Sequence, residues 1–289
     1  MRPSGVHCVL FAFFGADGAL DEDAMRRQIA HVRAEGADGI TVLGLATEVG
    51  KLTGDEQRRL VTLAAQEAGD LPLWVTVTGE DAAAQRAMLA HAADHGAALA
   101  ILQPPSGEGD AGALMDFFAE VGAGAPLPLA VQNAPAFLGR SLSGADMTTL
   151  RARLPALAAV KAEMPAVDLA GFVAAAGPDL PVLAGRGGLE MTDSLRAGAA
   201  GFVVAPDTLP GVRACFDAWM AGDVAGAEAA YARLLPAAVF AMQSLDHLAR
   251  HGKRIFAARA GLSVHDRTPS AGPGDFALRL VARHAAGGH

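Results

Sequence analysis

A (β/α)8 TIM barrel with a small C-terminal helical extension is the α/β fold this sequence predicts, on three observations. The chain has 289 residues, 52% of them hydrophobic and 19% charged, and ~250 residues is a common size for one such barrel. Eight short apolar or β-branched runs recur as far as Pro206, with longer amphipathic stretches between them. The runs are apolar at consecutive positions, as parallel strands covered on both faces are. A doubly wound open sheet uses the same units and is the structural rival.

The expected strands are VHCVLFAFF (6–14), DGITVLG (38–44), PLWVTVTG (72–79), ALAILQ (98–103), PLAVQN (128–133), LAAVKAE (157–163), PVLAG (181–185) and GFVVAP (201–206). Helices are expected where acidic or capping residues open a stretch and glycine closes it. Examples are 21–36, 54–69 and 81–96, ending in Gly36, Gly69 and Gly96. After Pro206 the strand signals stop, and positions 207 to about 286 read as helices. The division expected is a catalytic barrel over 1–222 and a helical extension over 223–289, with HAAGGH (284–289) as a loose tail.

The formal charge of −8 gives no basic face for nucleic acid, and a small-molecule partner is expected instead. The apolar run Val9–Phe14 is too short for a signal peptide and leads into Asp17, Asp21, Glu22 and Asp23. The expected compartment is the cytoplasm, without a membrane partner. Cys8 and Cys215 are the two cysteines, and neither lies in a CxxC pair, so no disulfide framework, zinc site or other metal site is expected. The glycines in AGRGG (184–188) lack GxGxxG spacing and read as a tight turn. No cofactor is implied.

Lys161 stands in the middle of the apolar run LAAVKAEMP (157–165). Only Lys51, Lys161 and Lys253 are lysines, against twenty arginines. Lys51 and Lys253 sit beside glycines in polar surroundings, whereas Lys161 lies near the carboxyl end of the sixth strand, where barrel enzymes place catalytic side chains. Burial disfavours an ammonium, and a neutral amine is the nucleophile that Schiff-base formation with a ketone requires. The plain alternative is a lysine that snorkels to solvent or pairs with a carboxylate. Glu163, two residues on, faces the same side of a strand. It is either an ion-pair partner or an acid/base group.

The chain resembles the superfamily of dihydrodipicolinate synthases and N-acetylneuraminate lyases, class I aldolases and dehydratases that act through a Schiff base. The resemblance is collinear from Gly5 to about Leu262. It rests on DGALD (17–21), EGADGITVLGLATEVGKLTGDEQ (35–57), PLAVQNAP (128–135) and AAVKAE (158–163). It implies that Lys161 forms the imine, and that the chain is a homo-oligomer, a dimer or a tetramer. Gln-Asn-Ala-Pro together with Val-Lys-Ala-Glu-Met-Pro is nearer to the 2-keto-3-deoxy sugar acid dehydratases of that superfamily.

Departures from the family pattern are equally specific. Where Gly-Thr-Thr-Gly-Glu is usual, this chain has Gly44-Leu45-Ala46-Thr47-Glu48, so two hydroxyls expected at a substrate carboxylate are missing. Gln132 replaces a tyrosine, and a neutral amide cannot transfer protons as a phenol does. The segment 103–110 has no aromatic residue, Tyr231 is the one tyrosine, and Phe137 stands about where lysine-biosynthesis members carry an arginine. These departures argue against dihydrodipicolinate synthesis.

An imine on a 2-oxo acid acidifies the C3–H, which serves either C–C cleavage or loss of a C4 hydroxyl. Cleavage needs a base on that hydroxyl, and with the tyrosine gone dehydration is favoured. Lys161 is expected to form the imine, Glu163 to move a proton or keep the lysine correctly protonated, and Gln132 to orient a substrate hydroxyl. Thr47 and the amides around Ala46 are expected to hold the carboxylate, with Asn133 and Arg186 as further substrate-binding residues. Glu48 is expected to fix its loop, and His7 to be a core residue. Leu45, Phe137 and Leu138 point to a less polar substrate than a sugar acid. The rivals are a pyruvate-dependent C–C aldolase with an atypical proton relay and a non-catalytic barrel that binds a 2-oxo acid.

Overall fold

The computed structural model describes residues 2–107, 109–270 and 272–287. Eight parallel strands close in the order β1-β2-β3-β4-β5-β6-β7-β8, the barrel that the sequence predicts. They are β1 (Gly5–Val9), β2 (Gly39–Val42), β3 (Leu73–Val77), β4 (Leu99–Leu102), β5 (Leu129–Asn133), β6 (Leu157–Ala162), β7 (Val182–Ala184) and β8 (Gly201–Val204). Six of them, β2, β3, β4, β5, β7 and β8, are buried at every position. That is why their sequences are continuous apolar runs: each side faces either the barrel interior or a covering helix. A fully buried Val, Leu, Ile or Phe contributes ~1.5–3 kcal/mol.

The helices following the strands are α1 (Glu22–Ala34), α2 (Gly54–Glu67), α3 (Ala82–Asp94), α4 (Ala111–Gly122), α5 (Gly144–Arg153), α6 (Ala166–Ala176), α7 (Met191–Arg196) and α8 (Leu209–Met220). Their starts are chemical. Asp21, Asp81 and Asp110 each accept from the amide three residues on, and Thr53 with Glu56 and Ser143 with Asp146 close reciprocal caps.

The first strand ends at Val9, where the sequence run continues to Phe14. The Leu10 amide still donates to the Thr41 carbonyl of β2 at 2.9 Å, and then a side chain takes the place of a strand: the Phe11 amide donates to Gln28 Oε1 at 3.0 Å and Gln28 Nε2 donates to the Phe11 carbonyl at 2.9 Å. Leu10–Phe14 are all buried, so hydrophobicity alone could not show where the ladder stopped.

After α8 come α9 (Val224–Ala241), α10 (Lys253–Ala260) and α11 (Asp275–Ala286). The stretch from Val224 to Gly252 reads as one helix in sequence but breaks after Ala241. Ser244 is extended and caps a new turn by accepting from the His247 amide. Helix α9 is, by length and composition, apolar enough to cross a membrane, and six of its residues are buried within the fold. Of the expected tail, His284 to Ala286 form the end of α11, and Gly288 and His289 lie outside the described residues.

By proximity of Cα atoms the chain forms two compact units. One consists of the residues up to Gly5, Leu73–Arg186 and Glu190–Val203; it carries β3 to β7. The other consists of Val6–Pro72, Gly187–Leu189 and the chain from Val204 onwards; it carries β2 and the helices from α8 to α11. Within this second unit Arg267, between α10 and α11, donates to the carbonyls of Gly18 and Lys51 and to both carboxylate oxygens of Glu56. That pairing holds the Glu56 carboxyl down at about 2. The guanidinium also lies 4.2 Å from the centre of the Phe14 ring.

Candidate active site

Strands β5 and β6 pair with Gln132 opposite Lys161 and Asn133 opposite Ala162. The ladder runs one residue past β6, where the Glu163 amide donates to the Asn133 carbonyl at 2.9 Å. Lys161 and Glu163 therefore project to the same side, and both are 5% exposed. Lys161 Nζ donates to Glu163 Oε1. The same oxygen accepts from Gln132 Nε2 at 2.8 Å, and Gln132 Oε1 accepts in turn from Gln103 Nε2 at 2.9 Å. Gln132 and Gln103 are 1% and 7% exposed.

This buried row contains one amine, one carboxylate and two amides. Its members come from the ends of β4, β5 and β6, the carboxyl ends at which barrel enzymes build their sites. Gly185, just after β7, gives the carboxylate its room: a Cβ there would lie 2.7 Å from Glu163 Cγ and 3.1 Å from Cδ. The Gly185 amide donates to the Ala162 carbonyl at 3.0 Å, so the backbone cannot retreat to admit a methyl group. Ordinary residue choice therefore ends where the glutamate side chain passes.

The structure brings Lys161, Glu163 and Gln132 together, and it engages the other expected site residues elsewhere. Asn133 Nδ2 donates to the Leu142 carbonyl at 2.9 Å and Asn133 Oδ1 accepts from the Leu142 amide at 2.9 Å. Both ends of its amide are used to hold the loop before α5, so Asn133 is a loop anchor and not an open substrate ligand. Arg186, in a left-handed conformation with φ 58°, donates to Glu190 Oε2 at 2.6 Å. Its charge is paired there with that of Glu190, both side chains being partly exposed.

Thr47 and Ala46 belong to the second unit, in the short turn Leu45–Thr47 after β2. The Thr47 hydroxyl donates to the Leu10 carbonyl at 2.7 Å and its amide to the Gly44 carbonyl at 3.0 Å. Both of its hydrogens are committed inside the fold, and what remains, an oxygen acceptor, repels a carboxylate. Ala46 is 7% exposed and has no polar side chain to offer. Glu48 adopts φ 56° and pairs with Lys51 at 2.6 Å and with Lys253, the loop-fixing role expected of it. A cavity of about 290 Å³ adjoins this pair, lined by Leu45, Val49, Leu245 and Ala249 among others.

Lys253 corrects the reading of the lysines. Far from lying in polar surroundings it is 1% exposed, and its ammonium sits 5.4 Å from the centre of the Phe14 ring. Burial pulls its pKa below the usual lysine value, and the neighbouring Glu48 charge opposes that shift. Two of the three lysines are thus buried beside a glutamate, and scarcity does not single out Lys161. His7 is buried, opposite Gly39 in the β1–β2 ladder, with its ring where a side chain on residue 39 would stand. Among the described residues no group of three or more His, Cys, Asp or Glu is placed to hold a metal ion.

Gln103 and Gly185 are the members that sequence reasoning missed as site residues. Each meets its partner only through the closing of neighbouring strands, Gln103 across 29 residues. The available signal was weak: a lone polar residue at the end of the apolar run ALAIL.

Comparison with known proteins gives the family and supports the fold. The model of the Dihydrodipicolinate synthetase family matches residues 2–268. The chain is 31% identical over 233 residues to the 4-hydroxy-tetrahydrodipicolinate synthase of Moorella thermoacetica, covering 77% of each chain. It is 27% identical over 243 residues to the L-2-keto-3-deoxyarabonate dehydratase of Azospirillum brasilense, covering 81% of this chain and 78% of that one. In fold it is similar to the dihydrodipicolinate synthase of Rhodopseudomonas palustris, with a TM-score of 0.89 at 21% identity over 99% of this chain and 97% of the other. The family includes carbon–carbon and carbon–oxygen lyases that act on small molecules. With its match running through nearly the whole barrel and over the lysine strand, this chain is an enzyme of the dihydrodipicolinate synthetase family, a lyase.

Proposed function

We propose that the chain is a hydro-lyase that dehydrates a hydroxylated 2-oxo acid through an imine on Lys161, and that it is not a dihydrodipicolinate synthase. The observation that carries this reading is the buried carboxylate of Glu163, which accepts from the Lys161 ammonium and the Gln132 amide at once. An ammonium must lose a proton before it can attack a ketone, and Glu163 Oε1 is hydrogen-bonded to the proton that leaves. The freed amine adds to C2, and the carbinolamine loses its oxygen as water to give a protonated imine. Electron withdrawal by that imine weakens the C3–H bond, and a carboxylate beside Nζ is the base at hand. Removal of the proton leaves an enamine, whose electron pair expels the C4 hydroxyl; the hydroxyl takes up one proton and departs as water. Hydrolysis of the resulting conjugated imine releases the product and restores Lys161.

Gln132 favours this course over C–C cleavage. Cleavage requires an acceptor for the proton of the C4 hydroxyl. The Gln132 carbonyl already accepts from Gln103 and its amide nitrogen donates to Glu163, so neither end of the side chain can take up a proton. Likeness to the Azospirillum brasilense dehydratase supports the same choice. Absence of an arginine at Phe137 and of an outward hydroxyl at Thr47 supports the exclusion of dihydrodipicolinate synthesis.

The test is the intact mass of wild type and Lys161→Ala after incubation with a panel of 2-oxo acids and borohydride, each supernatant being scanned for products. A wild-type adduct that is absent in the variant, with a product about 18 Da lighter than the substrate, is the expected result. Release of pyruvate instead would make the chain a carbon–carbon lyase. Failure to trap any 2-oxo acid would leave a binding barrel, with Lys161 held by its ion pair.

A further inference from the structure

We infer that Gln103 is the positioning and specificity residue of this site: it dictates which end of Gln132 meets Glu163, and its own carbonyl receives a hydroxyl of the bound acid. The inference rests on the imine chemistry proposed for Lys161.

The argument follows from which groups own hydrogens. An ionised carboxylate has none, so a glutamine beside it must turn its NH2 inward. Gln132 does so, at 2.8 Å from Glu163 Oε1. Its carbonyl is thereby forced toward β4, in a buried place where an unmet acceptor is costly. Gln103 meets it by donating from Nε2 at 2.9 Å. With a residue that has no hydrogen to give at position 103, the Gln132 amide has no reason to keep that orientation. Flipped, it sets oxygen against the Glu163 oxygen and disturbs the group that exchanges protons with Lys161.

Gln103 is itself firmly held. Its amide donates to the Val77 carbonyl at 3.0 Å, and its carbonyl accepts from Gln85 Nε2 at 2.9 Å, Gln85 being fully buried and donating also to the Gly79 carbonyl. With the main chain clamped and the side-chain nitrogen committed, the freedom left is on Oε1. Among the described residues no donor reaches that oxygen, and it is absent from the fully enclosed polar atoms that lack a partner. An accessible carbonyl at the end of a row of fixed amides selects a donor. It repels a second carboxylate and welcomes a hydroxyl. The substrate class this describes is a 2-oxo acid with a hydroxyl-bearing chain and no anionic group at that end.

The experiment compares wild type with Gln103→Leu and Gln103→Glu. All three are first challenged with pyruvate and borohydride, with Lys161→Ala as the blank, and then assayed with 2-oxo acids that differ only in their hydroxyl groups across about pH 5 to 8. Trapping of pyruvate by wild type establishes the imine independently of residue 103. The expected result is a fall in kcat/KM of ~10-fold or more for Gln103→Leu on hydroxylated acids, with the discrimination between hydroxylated and unsubstituted chains reduced. Gln103→Glu regains activity relative to wild type as the pH falls, because only its protonated carboxyl can donate to Gln132. A merely structural role would not produce that pH dependence. Equal losses in both variants at every pH, or unchanged discrimination in Gln103→Leu, would overturn the role of Gln103 while leaving the imine in place. Failure of wild type to trap any 2-oxo acid would overturn the functional reading, and this inference with it.

Discussion

A single hydrogen separates a glycine from the side chain that would disable this site. The space over Gly185 is filled by the Glu163 methylenes, 2.7 Å from where a Cβ would stand, so Gly185→Ala pushes the carboxylate off the lysine. On the function proposed above, the expected effect is a loss of ~10-fold or more in kcat with a smaller change in KM, read from steady-state kinetics, since the carboxylate proposed to move the proton is displaced and the substrate pocket kept. Glu163→Gln acts through charge. It leaves the buried Lys161 without its counter-ion, and losing one partner of a buried pair costs ~3–5 kcal/mol; urea unfolding measures this. Lys161 and Glu163 were legible in sequence because their partnership is local, two residues along one strand. Gln103, Gly185 and the Glu48–Lys253 pair were not, the last spanning 205 residues. Their meaning arises only when strand ends or distant loops are brought together.

At the scale of elements, the apolar runs announced all eight strands, because each parallel strand is enclosed on both faces and needs no polar side. The same enclosure hid the end of β1. Leu10 to Phe14 are as buried as the strand before them, and a side chain from α1, Gln28, takes both backbone groups of Phe11. Replacing Gln28 by leucine removes both bonds to Phe11 and leaves a buried N–H and C=O unmet. A destabilisation of ~2–4 kcal/mol is expected, measured as a shift in the urea midpoint at unchanged m-value. The break after Ala241 was likewise invisible to periodicity, since helical spacing resumes at Leu245 and only the extended backbone of Ser244 interrupts it. Caps were the more reliable signals: Asp21, Asp81 and Asp110 begin their helices where acidic residues mark the boundary.

For the molecule as a whole, pH is a lever on stability. Asp207, just beyond β8, is 1% exposed, and among the described residues no side chain donates a hydrogen bond to its carboxylate. Burial raises its pKa from 3.8 to about 6, although the charge of Arg259 works against the rise. A carboxyl whose folded pKa lies above its unfolded value contributes stability below pH 3.8, and this is lost as the pH climbs through 6. Asp207→Asn removes the titration. It is expected to be more stable than wild type by about 2–3 kcal/mol above pH 7, with the advantage fading toward pH 4, as thermal or urea unfolding at several pH values will show. His251 works in the other direction: burial lowers it to about 4, so its contribution is present above 6.5 and declines as the pH falls. Between them the two groups flatten the stability profile in the mildly acidic range. The segment from Leu262 to Gly274 has neither helix nor strand among its described residues, yet its Arg267 grips Gly18, Lys51 and Glu56. Arg267 follows Gly18 by 249 residues, so on a translating ribosome the loop around Gly18 is made long before the guanidinium that fastens it, and it stays unanchored until the intervening chain has been made and folded back.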